Sequence, residues 1–212
     1  MTAHVDSDTP PKVTIKLELT PLNYQFSNPT PPTLTICLIS HASSPLTLKI
    51  PHGSPLDVPR AMNQGAFPIF DLTTSPPTPV HIGDLSGYIS VPPSPNKTLT
   101  LFPEDDSQRL TVAFNRGGSF ETTYRPEPWE VVQKGRVLDK DGNLTGIRRP
   151  SVVTGVDGLE PGKRYRTTVD LEKLKGVSWW LGANTDGEGN EFSVTPITFE
   201  VDGGGVEFSV EI

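Results

Sequence analysis

The chain has 212 residues, 34% of them apolar, and carries 25 acidic against 18 basic side chains for a formal net charge of -7. That balance, with basic residues adjacent only in short groups such as Arg148-Arg149 and Lys163-Arg164, excludes the broad phosphate-tracking face of a nucleic-acid binder and gives an anionic membrane little to hold. A single cysteine, Cys37, excludes an intrachain disulfide and a thiolate zinc site.

Residues 1–12 are polar, end in Pro10-Pro11, and read as a loose tail. They lack the basic start and apolar stretch of a secretory signal. No window approaches the roughly 20 apolar residues of a membrane span. The expectation is an intracellular, cytoplasmic protein with no membrane contact. The acceptor patterns Asn96-Lys97-Thr98 and Asn143-Leu144-Thr145 are then chance.

Residues 13–19, VTIKLEL, alternate apolar and polar, which predicts a first strand with Val13, Ile15, Leu17 and Leu19 facing in. Pro29, Pro31 and Pro32 interrupt. Residues 34–39, LTICLI, are almost wholly apolar and predict a central strand with Cys37 in or beside the core. The turn at His41-Ala42-Ser43-Ser44-Pro45 leads to 46–50 and predicts a hairpin. Short strands are expected near 67–72, 80–82, 88–91, 99–102 and 110–114, with 120–124 pairing back after Gly117-Gly118. Asp141-Gly142 between apolar flanks predicts a hairpin returning through 144–147.

The clearest stretch is 159–171, LEPGKRYRTTVDL. Pro161 and Gly162 make a turn. Tyr165, Thr167, Val169 and Leu171 then share a dry face, opposite Arg164, Arg166, Thr168 and Asp170. This is the pattern of a sandwich corner. One helical turn at 172–176, a strand at 177–181, and a closing hairpin of 197–201 and 206–212 around Asp202-Gly203-Gly204-Gly205 complete the chain. Ten or more short strands without sustained helical periodicity predict an all-β fold, an immunoglobulin-like antiparallel β-sandwich with long loops and extra strands. No linker divides residues 13–212, which are expected to form one domain.

Two segments, 34–56 and 159–171, resemble the immunoglobulin-like sandwich of fungal deuterolysin-type pro-domains and of intracellular proteinase-inhibitor-like domains. In that group a strand ends in a polar turn before a second strand and a Pro-Leu segment. A later Leu-x-Pro-Gly turn opens a strand that ends in Val-Asp-Leu. Here the first turn is His41-Ala42-Ser43-Ser44-Pro45, and the second element matches at Leu159, Pro161, Gly162, Val169, Asp170 and Leu171. These motifs are structural. The resemblance implies a stand-alone fungal protein of this class. No His-Glu-x-x-His helix is present, so peptidase activity is not implied, and an inhibitory role follows only by analogy.

The chemistry-bearing residues form no familiar site. His4, His41, His52 and His81 are far apart. The stretch from Asn184 to Glu188 imitates a calcium loop, but Thr195 stands where the bidentate Glu belongs. Asp139, Asp141 and Asn143 alternate likewise, with Leu144 in the Gly position. There is no Gly-x-Ser-x-Gly elbow, and Ser54 beside His52 is not a triad. No catalytic residue, metal ligand or cofactor is expected.

The aromatic residues are the candidate site. Trp179 and Trp180 are adjacent on a strand and point to opposite faces. One enters the core, and the other lies under a covering loop or forms a ligand or partner surface. Trp129 is expected to cap one end of the sandwich. Trp179, Trp180 and Trp129 are therefore the candidate ligand- or partner-binding residues. The expected function is a non-enzymatic binding or protein-interaction module, inhibitor-like or accessory to another protein. The alternative is an accessory enzyme acting on a hydrophobic small molecule in a pocket between the sheets or under the long loops. Asp71 or Asp84, with His81, would then contribute its polar groups.

Overall fold

A computed structural model describes residues 10–51, 53–61, 65–80, 97–114, 129–147, 158–183, 192, 193 and 195–212. The elements in chain order are β1 (Lys12–Thr20), β2 (Asn23–Gln25), β3 (Thr33–Ser40), β4 (Leu46–Ile50), α1 (Val58–Ala61), β5 (Ile69–Asp71), β6 (Thr78–Pro79), β7 (Lys97–Leu101), β8 (Arg109–Ala113), α2 (Trp129–Lys134), β9 (Arg136–Leu138), β10 (Leu144–Ile147), β11 (Arg164–Thr167), β12 (Ser178–Leu181), β13 (Thr198–Val201) and β14 (Val206–Glu211). The longest helix among the described residues, α2, has 6 residues. The fold is all-β, as the alternating runs predict. No described helix is long and apolar enough to cross a membrane.

The strands form a four-stranded sheet in the order β13-β1-β3-β8, a five-stranded sheet β2-β14-β11-β5-β6, a three-stranded sheet β12-β4-β7 and the pair β10-β9. Most pairings are antiparallel, but β1–β13 and β2–β14 are parallel. The sequence pattern sets the layers. In β1, Val13, Ile15, Leu17 and Leu19 are all buried, with the intervening residues toward solvent. β3 lies between β1 and β8 and buries Leu34, Ile36 and Leu38, each worth roughly 1.5–3 kcal/mol of transfer free energy. The four- and five-stranded sheets share one interior: Phe114, just after β8, meets Phe208 of β14 edge to face at 5.1 Å, and Tyr165 of β11 stacks on Phe208 at 5.6 Å.

Two expected hairpins are crossings instead. β4 does not pair with β3, because both edges of β3 are already taken by β1 and β8. The turn at 41–45 carries the chain out of that sheet, and β4 pairs with β7 and β12. Likewise β13 lies parallel to β1, while β14 joins β11 and β2 in the other sheet. The Asp202–Gly204 turn makes the transfer, and Gly205 after it has φ 125. A Cβ on Gly205 would lie 2.2 Å from the Thr167 carbonyl oxygen, so only glycine lets the two backbones approach this closely.

Other expectations divide. The β9–β10 hairpin forms through the Asp141-Gly142 turn. The helical turn after β11 is a 3-10 turn at Leu171–Leu174, capped by the Asp170 carboxylate, which accepts from the Glu172 amide at 3.1 Å. That cap rotates the chain after Val169, so Leu171 does not continue the dry face and is 37% exposed. Ile212 similarly runs past the end of the sheet and is 78% exposed. Residues 129–134 form the helix α2. The expected strands at 88–91 and 120–124 lie outside the described residues, as does most of 80–82.

Candidate functional site

Trp179 and Trp180 do point to opposite faces of β12, and each is 8% exposed. Trp179 enters the core cluster, and its indole Nε1 donates to the Thr195 carbonyl at 2.8 Å. Trp180 is packed edge to face against Phe192 at 4.7 Å, with the Lys49 ammonium 4.8 Å above the Phe192 ring. Its Nε1 is buried and has no hydrogen-bond partner among the described residues. The second indole is therefore covered by a following segment of the chain, one of the two arrangements its sequence position allows.

Trp129 sits in another part of the fold. Its ring lies 5.0 Å from that of Phe26, which meets Tyr24 at 5.1 Å. The Arg136 guanidinium stands 5.4 Å over the Trp129 ring. From there a chain of alternating charges runs inward. Arg136 donates to Glu160 at 2.6 Å, Lys163 bridges Glu160 at 2.8 Å and Asp71 at 3.0 Å, and Thr73 donates through its amide to Asp71 at 2.8 Å. The β11 corner anchors this chain, because the Tyr165 hydroxyl accepts from the Glu160 amide at 2.8 Å.

The electrostatics follow from those partners. Burial acts to raise the Asp71 carboxyl, but the Thr73 donors and the Lys163 ammonium outweigh it and hold the group below its ordinary value. Burial opposes ionisation of Glu160 as well, and Lys163 and Arg136 again win. Lys163 is raised despite burial by its two carboxylates. Burial pushes the Tyr165 phenol up to about 12. Two anions and two cations cancel, and each carboxylate already holds a cation. Such a network fixes position, and it offers no free general base at neutral pH.

Among the described residues, no group of three metal-ligating side chains is close enough to hold an ion. The Asp139 carboxylate accepts from the Asp141 amide at 2.8 Å and the Asn143 amide at 2.9 Å, so its oxygens serve the turn. His41 bonds Glu104 at 2.8 Å and Thr14 at 2.9 Å. Cys37 is buried, with its thiol directed at the Asp106 carbonyl 3.0 Å away, and burial raises its pKa further. The stretch from Asn184 to Glu188, together with Asp84 and His81, lies outside the described residues.

The described residues also form a concave surface. A groove of about 280 Å³ lies between the 3-10 turn and β13, lined by Leu171, Leu174, Pro196, Ile197 and Phe199. Its charged rim is the pair Lys175 and Glu172, 2.5 Å apart. None of the three tryptophans lines it. The capping of 171–174 by Asp170 creates one wall, and the crossing of β13 to the edge of its sheet creates the other. The exposure of Leu171, which breaks the expected face, marks the apolar surface here. No protein-family model, curated protein or solved structure matches the chain.

Proposed function

We propose that the protein is an immunoglobulin-like β-sandwich that works as a non-enzymatic protein-binding module. The fold reading rests on the order of the strands, on the parallel β2–β14 pairing and on the Tyr165 hydroxyl bonded back to the Glu160 amide. A tyrosine at the start of a late strand that bonds upstream backbone is the corner device of such sandwiches. The binding reading rests on one observation, the apolar groove beside β13 with Leu171 exposed at its wall. Its volume suits one large apolar side chain of a partner protein, the kind of anchor that dominates interfaces. The rim charges pair with each other, and the lining between them is largely apolar, which favours docking.

The resemblance of 34–56 and 159–171 to fungal proteinase-inhibitor-like domains makes a peptidase the first partner to test. The purified chain is expected to slow a zinc metallopeptidase of the deuterolysin type. Leu171→Asp, at a position already 37% exposed, should weaken that inhibition by roughly tenfold or more without lowering the melting temperature. Equal inhibition by both proteins, or none by either, ends this reading.

A further inference from the structure

We infer that residues 129–147, carrying α2 and the β9–β10 hairpin, form a strap that opens independently of the sheets, with the Arg136–Glu160 pair as its latch and Trp129 as its plug over Phe26. Of the residues in this stretch whose burial is described, none is buried. β9 and β10 pair only with each other among the described strands. A lone two-stranded hairpin is marginal in water, and a helix as short as α2 cannot hold itself. The order of the strap therefore comes from its docking.

Among the described residues, that docking rests on two contacts. The Trp129 ring packs on Phe26 at 5.0 Å, and Arg136 donates to Glu160 at 2.6 Å. They act together, because the Arg136 guanidinium also lies over Trp129 at 5.4 Å. The latch is imperfect. The Arg136 side chain is only 9% exposed, yet its Nε finds no partner among the described residues, so part of its desolvation goes uncompensated.

Opening strands no charge. Glu160 keeps Lys163 at 2.8 Å, Arg136 regains water, and the Tyr165–Glu160 corner bond is untouched. A segment none of whose described side chains is buried, held by a releasable charge, is the kind that opens below the global unfolding free energy. Opening lifts Trp129 away and uncovers Phe26, which is buried in the closed form.

Native-state hydrogen exchange on the full chain tests this. The β9–β10 ladder amides should exchange roughly 100-fold faster than those of β3 after correction for intrinsic rates. Arg136→Met should speed β9–β10 by about a further tenfold and leave β3 unchanged. Glu160→Gln should speed β9–β10 in the same way, whatever it does to the corner. Exchange of β9–β10 in step with β3, or no response of β9–β10 to Arg136→Met, overturns the inference.

Discussion

The two adjacent indoles of β12 differ in one atom's fate. Trp179 and Trp180 are equally buried, so replacing either by Phe removes similar ring area. The Trp179 Nε1 has the Thr195 carbonyl at 2.8 Å, whereas the Trp180 Nε1 is buried without a partner among the described residues. A satisfied donor stabilises and an orphaned one carries its desolvation penalty. Trp179→Phe should therefore destabilise the protein by about 1–2 kcal/mol more than Trp180→Phe, read from urea midpoints at constant m. A larger loss for Trp180→Phe would mean that its indole N–H has a partner in solution.

At the scale of elements, the charge chain joining β5, the β11 corner and β9 makes stability depend on pH in a defined direction. Asp71 and Glu160 are held below their ordinary 3.8 and 4.5. The stability they contribute is complete above those values and is lost as pH falls through the depressed ones. Lys163 is raised above 10.5, so its contribution is present below that value and is lost as pH rises through the folded one. Lys163→Met should lower the unfolding midpoint at neutral pH, make the acid limb below pH 4.5 shallower and remove part of the alkaline limb. Urea midpoints across that range decide it, and parallel curves for the two proteins would show that the bridge is not coupled to folding.

Strands and partners were not equally legible. The β1 alternation, the apolar β3 run, the Asp141-Gly142 turn and the Pro161-Gly162 corner are local signals, and each formed its element. Whether a turn closes a hairpin or carries the chain to another sheet depends on which strand edges are occupied. His41 to Pro45 and Gly203 to Gly205 read alike in either case. The Arg136–Glu160–Lys163–Asp71 chain draws on three separated segments, and nothing at any one of them announces the others. The aromatic reading expected Trp129 to cap one end of the sandwich and had no means of finding the charge chain that begins beside its ring. The groove was missed because Leu171 fits the period-two pattern that the Asp170 cap interrupts.

The whole molecule is closed by its last residues. β13 lies along β1, with Thr14 donating to Glu200 at 3.0 Å across 186 positions of sequence, and β14 lies between β2 and β11. The C-terminal segment thus supplies an edge to one sheet and an interior strand to the other, and Phe208 is the ring on which Phe114 and Tyr165 converge. Pairings this distant must be made against a large loop entropy, so their loss cannot be offset by local structure. Deleting residues 198–212 leaves β1, β2 and β11 each with an unpaired edge and opens the core at Phe208. The truncated chain should lose its near-ultraviolet circular dichroism and show no cooperative urea transition, whereas the intact chain unfolds with one. A truncated protein that still melts cooperatively within a few degrees of the intact one would mean that the two sheets do not depend on a shared interior.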